Sequence, residues 1–105
     1  MTPPPIEPAV REPFRANLRR LRILSRLSQE QLAARTSLHR TAIGLMENGE
    51  RLPRIDTLIR LAGALEVTPN DLLQGIEWAP PREQTGGRFH ASRHLTHRVM
   101  KGADG

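Results

Sequence analysis

The sequence predicts an all-α fold: a compact bundle of five short helices flanked by flexible tails. Three observations lead there. Apolar residues recur at three- and four-residue spacings between Phe14 and Leu73, the repeat of one buried helix face. Residues that favour helix starts stand just ahead of these runs, Ser28 and Thr68 most clearly. Proline and glycine gather at the two ends of the chain, which leaves residues 14–78 as the stretch able to fold as one domain.

Residues 1–13, MTPPPIEPAVREP, hold five prolines and are expected to form an extended, flexible arm. The first helix is expected over Phe14–Ser25, with Phe14, Leu18, Leu21 and Leu24 on its apolar side. Arg15, Arg19, Arg20 and Arg26 fall mostly on other faces; they read as solvated charges or as phosphate contacts. The second helix is expected over Gln29–Arg35. Ser28 caps it, Gln31 closes a capping box, and Leu32 and Ala33 give a narrow apolar face. Thr36-Ser37 breaks the pattern, and Leu38 plugs the gap before the third helix.

That third helix is expected over Arg40–Glu47, with Ile43 and Met46 inward. Asn48-Gly49 ends it, since either residue tolerates the left-handed conformation of a helix end. Two helices of this size joined by a tight turn make a helix-turn-helix, whose second helix can lie in a DNA major groove. Pro53 stiffens the next turn between Arg51 and Arg54. The fourth helix, Asp56–Leu65, buries Leu58, Leu61, Ala62 and Leu65. The fifth has Thr68 as cap and Pro69 at its first position, where the missing amide costs nothing. Leu72-Leu73 close the core and Gly75 stops the helix.

Composition narrows the function classes. Phe14, Trp78 and Phe89 are the only aromatics, so the core must be aliphatic. The chain has no cysteine, which excludes disulfides and cysteine-based zinc sites. Neither a secretory leader nor an apolar run of membrane-spanning length is present in the sequence, so a cytoplasmic location and no membrane partner are expected. The net charge is +5, carried as −1 by residues 1–13 and +3 each by 14–78 and 79–105. Every basic residue but one is arginine, which suits bidentate contact with phosphate and guanine. No nucleophile–base pair, carboxylate pair or phosphate-binding glycine loop is found, so neither an enzyme nor a cofactor is expected.

The stretches SQEQLA, RTAIGLMENG and LPRIDTLIRLAGALEVTPNDLL keep their mutual spacing over residues 14–74. On them the chain resembles the helix-turn-helix domain of phage repressor and Cro type, the xenobiotic-response-element family. The resemblance implies a lambda-repressor-like five-helix bundle. It implies a sequence-specific, double-stranded DNA-binding transcriptional regulator that acts as a homodimer on a palindromic operator. It implies an ion pair between Arg22 and Glu47, mainly structural, with Arg22 also directed partly at the DNA backbone. It sets the loop 50–54 beside the phosphates, with Arg51 ahead of Arg54 as the contact.

In that docking geometry Arg40, Thr41, Gly44 and Leu45 face the bases: Arg40 toward guanine, Thr41 and Leu45 toward thymine methyls, Gly44 by close backbone approach. Ser28, Gln29 and His39 join Arg22 and Arg51 as phosphate contacts, Ser28 and Gln29 through the positive N-terminus of the second helix. The family often has glycine where this chain has Arg26, Ser37 and Glu66; if these adopt positive φ, each carries strain of about 1 kcal/mol.

Beyond Gln74 two readings of Trp78 stay open: a dimer interface with Leu73 and Ile76, or packing back on its own domain. Residues 79–105 are expected to be a basic, disordered tail that strengthens DNA binding by charge. His90, His94 and His97 would share one face of a helix, but without carboxylate or cysteine partners no metal site is expected. Two further readings accompany the regulator. One is an antitoxin, with a tail wrapping a toxin, or a restriction–modification controller of the same fold. The other is a protein-interaction module that does not bind DNA, favoured by the sparse polarity of Gly44 and Leu45. RNA polymerase is a candidate second partner for the regulator.

Overall fold

The computed structural model describes residues 6–81 and 86–91. Five helices run in order: α1 (Pro8–Leu24), α2 (Gln29–Thr36), α3 (Arg40–Glu47), α4 (Ile55–Leu65) and α5 (Pro69–Leu72). An antiparallel hairpin follows, β1 (Ile76–Ala79) with β2 (Arg88–Ala91). No helix among the described residues is long and apolar enough to cross a membrane.

The helices form where cap chemistry and apolar spacing agree. At α2 the Gln31 amide donates to Ser28 Oγ at 3.0 Å, and the Ser28 amide donates to Gln31 Oε1 at 2.8 Å. Thr68 and Asp71 make the same reciprocal box at α5, at 3.2 and 2.9 Å. Each box satisfies two backbone amides that a helix start leaves unpaired. The core is the expected aliphatic one: Leu18, Leu32, Ile43, Leu61 and Leu72 are fully buried, and Phe14 is its one aromatic member. Leu38 packs against this cluster from the turn between α2 and α3. Thr36 is buried as well; its hydroxyl donates to the Leu32 carbonyl at 2.9 Å, which satisfies it inside the helix.

α1 starts at Pro8, not Phe14, so residues 8–13 of the expected arm are helical. Pro13 lies inside the helix, where it removes one backbone hydrogen bond. Packing outweighs that loss: Phe14 and Leu18 are sealed in the core, and Pro13 lies beside Gly75, where an added Cβ would meet it at 3.8 Å. Pro8 itself occupies the first turn, the position a proline tolerates best.

The hairpin is the second departure, since residues 88–91 belong to the stretch expected to be a disordered tail. Trp78 lies opposite Phe89, with ring centroids 5.1 Å apart at 69°, an edge-to-face pair. A Cβ on Gly87 would collide with the Trp78 indole, so only glycine fits beneath that ring. Trp78 thus packs on its own hairpin yet stays 52% exposed. Ile76 packs against the core, whereas Leu73 remains exposed. His90 sits in β2, so the helical histidine face does not form; His94 and His97 lie outside the described residues.

Candidate nucleic-acid interface

Glu47, the last residue of α3, organises the site. Its side chain is 2% exposed and receives the Arg22 guanidinium from α1 through two bonds, Nε to Oε2 at 2.6 Å and Nη2 to Oε1 at 2.9 Å. Nη1 of Arg22 donates to the Leu27 carbonyl at 2.9 Å. All three nitrogens of Arg22 are therefore engaged within the protein. The hydrogen bond to Glu47 also raises the Arg22 pKa above its ordinary value. Gln29 completes the group, its amide Nε2 donating to Glu47 Oε1 at 3.2 Å. One carboxylate thus ties together α1, the first turn of α2 and the end of α3. The two-pronged geometry and the supporting bonds are what make a buried charge pair tolerable.

These contacts refine the roles expected of Arg22 and Gln29. Arg22 is first a link between α1 and α3. Gln29, read from the sequence as a phosphate contact, has a structural partner as well. Ser28 is exposed and its hydroxyl is occupied by the capping bond.

α3 leaves its opening turn toward solvent. His39 is its N-cap and is exposed, with no side-chain capping bond. Arg40 and Thr41 are exposed; Gly44 and Leu45 are half-buried, and a Cβ on Gly44 would meet nothing within 4 Å. Leu45 is thus partly covered by its own domain. Arg40 lies 3.5 Å from Glu30 of α2, with both side chains more than half exposed, a contact weak enough for a ligand to displace.

In the loop 50–54 the two arginines part company. Arg51 is exposed. Arg54 is held by Asp56, at 3.2 Å through Nε and 2.9 Å through Nη2, and Arg60 reaches the same carboxylate at 3.2 Å. The hydrogen bond from Arg54, reinforced by Arg60, pulls the Asp56 pKa down from 3.8 to about 2.

Some positioning residues escaped the sequence reading. Asn17 donates its amide to the carbonyls of Leu72 and Gln74, both at 2.9 Å, and so pins the end of α5 to α1. Glu30 and Gln29 reach α3 directly, through Arg40 and Glu47. No spacing rule connects residues on separate helices, so the sequence carries no local signal for these pairs. Among the described residues no group of three or more His, Cys, Asp or Glu side chains is placed to hold a metal ion.

A capped α2, a tight turn and an α3 that offers its first turn to solvent define a DNA-binding helix-turn-helix of the transcription-regulator class. The family model for the helix-turn-helix domain HTH_3 matches residues 18–72, and the chain belongs to that family. The control protein C.SmaI of Serratia marcescens is 44% identical over 70 residues, which span 65% of this chain and 83% of that protein. The control protein C.BamHI of Bacillus amyloliquefaciens is 41% identical over 61 residues, 57% of this chain and 75% of that protein. Among solved structures, the restriction–modification controller protein C.AhdI from Aeromonas hydrophila superposes with a TM-score of 0.56 at 38% identity, covering 57% of this chain and 91% of that one.

Proposed function

We propose that this protein controls a restriction–modification system, binding a two-fold symmetric operator as a homodimer. The observation that carries this reading is the likeness to three control proteins over most of the length of each. Arg40 reads a guanine through its guanidinium, and Thr41 and Leu45 meet thymine methyls where Gly44 lets the helix approach. Ser28 and Gln29 offer the N-terminus of α2 to a phosphate. His39 and Arg51 add contacts on either side, and Arg22 steadies them from behind.

Exposed apolar side chains supply the surface a second copy would cover. Leu73 and Trp78 are among them, and Ile55 and Ile59, one turn apart on α4, are 74% and 57% exposed. RNA polymerase is the second partner, excluded from the promoter or contacted there. The test is a pair of variants measured on matched and mismatched duplexes. Arg40→Ala is expected to lose about 1–3 kcal/mol of discrimination at one base pair per half-site. Arg51→Ala is expected to weaken all duplexes alike. Unchanged discrimination by Arg40→Ala would contradict the assignment of α3 as the reading helix.

A further inference from the structure

α1 carries a line of arginines, of which only Arg22 is bonded to the helix-turn-helix. Arg11, Arg15 and Arg22 stand at spacings of four and seven, which the helical repeat gathers on one face of α1. Arg22 on that face is tied to Glu47. Nearer the N-terminus, the aliphatic stems of Arg11 and Arg15 lie across Gly49, just past the end of α3. A Cβ built on Gly49 would meet Arg11 Cγ and Arg15 Cδ, each at 3.0 Å. Gly49 also has φ +79°, so its lack of a side chain serves both the helix end and the passage of the two stems.

Glu12 sets the head groups. Its carboxylate takes Nε of Arg15 at 2.8 Å and Nε of Arg11 at 3.1 Å. Both contacts use Nε, so the Nη groups of the two guanidiniums have no acceptor among the described residues. Two positive charges face one negative charge, and the arginine side chains are 35% and 42% exposed. Gly49 leads directly into the loop that carries Arg51, so cations from α1 and from the loop flank the same end of α3. The face from Arg11 to Arg22 is about 16 Å long at the rise of a helix, enough to follow several phosphates of one strand.

We propose that Arg11 and Arg15 form a second binding site for the DNA phosphate backbone, beside Arg51 and outside residues 18–72 that define the family match. It rests on the reading of α3 as the DNA-facing helix. Such a site adds affinity and salt dependence without sequence preference.

The test uses three full-length proteins: wild type, the double variant Arg11→Gln with Arg15→Gln, and the double variant Arg11→Lys with Arg15→Lys. Each is titrated with a selected duplex and a scrambled one at salt concentrations from about 50 to 200 mM, after circular dichroism has established that it is folded. The glutamine pair is expected to reduce the slope of log affinity against log salt by about 2. It weakens both duplexes by the same factor, so their ratio is kept, and the lysine pair keeps the wild-type slope. A wild-type slope in the glutamine pair overturns the proposal. So does a lysine pair that loses as much as the glutamine pair, since lysine keeps both the charge and the aliphatic stem and phosphate attraction would then not account for the loss. If the wild type binds no duplex at all, the DNA-binding reading has failed and this site falls with it. Failure of the site alone shows as wild-type binding with an unchanged slope.

Discussion

Removing one partner of the Arg22–Glu47 pair leaves the other charge buried with nothing to neutralise it. Arg22→Ala or Glu47→Ala is therefore expected to cost about 3–5 kcal/mol, measured by urea unfolding, and to loosen α3 against α1. The value sits in the buried range because the two side chains are only 13% and 2% exposed. Asp56 gives a contrasting case on the surface. Its folded pKa, about 2, lies below the ordinary value of 3.8, so the unfolded chain takes up the proton first as pH falls. The stabilisation is present above roughly pH 4 and fades as pH drops toward about 2. Thermal midpoints across that window are expected to fall less steeply in Asp56→Asn than in the wild type. The difference should be small and shrink with added salt, because the group is exposed.

At the scale of the element, Arg26, Ser37 and Glu66 adopt φ of 60°, 59° and 57°. All three end helices or open turns in the left-handed region, where a side chain crowds its own carbonyl. Replacing any one of them with glycine is expected to raise stability by about 1 kcal/mol, less the added backbone entropy of glycine in the unfolded chain. Differential scanning calorimetry of the three single variants checks this; no gain at any site would show that the surrounding packing already relieves the strain.

These three positions were legible only through the family resemblance, which often has glycine there, since Arg, Ser and Glu do not themselves mark a left-handed turn. The starts of α2, α3 and α5 were legible in the residues themselves, where Ser28, His39 and Thr68 precede an apolar repeat. The start of α1 was not, because Pro13 reads as a stop, and it is the burial of Phe14 and Leu18 just beyond it that outweighs the lost hydrogen bond. The hairpin was not legible either: Trp78 and Phe89 meet across a stretch rich in proline and glycine with no alternating pattern. In the site, the Arg22–Glu47 pair came from family resemblance, since no spacing rule joins residues 25 apart. The links Gln29–Glu47 and Arg40–Glu30 exist only once the helices are packed.

At the scale of the whole molecule, the described residues form five helices, and the short α3 exposes few polar side chains, Arg40 and Thr41 in its first turn. Under the proposed function these two would carry the polar base contacts, and affinity would be shared with the phosphate backbone and with a second subunit. Two reading helices one helical turn of DNA apart would double the base contacts and impose two-fold symmetry on the operator. The most direct measurement is selection of bound sequences from a randomised duplex library by the purified protein, at a low and a moderate salt concentration. The account predicts enrichment of a two-fold symmetric motif at both, with half-sites spaced by about one helical turn. Enrichment of nothing, with weak binding that vanishes steeply as salt rises, would contradict it and reduce the arginines to non-specific attraction.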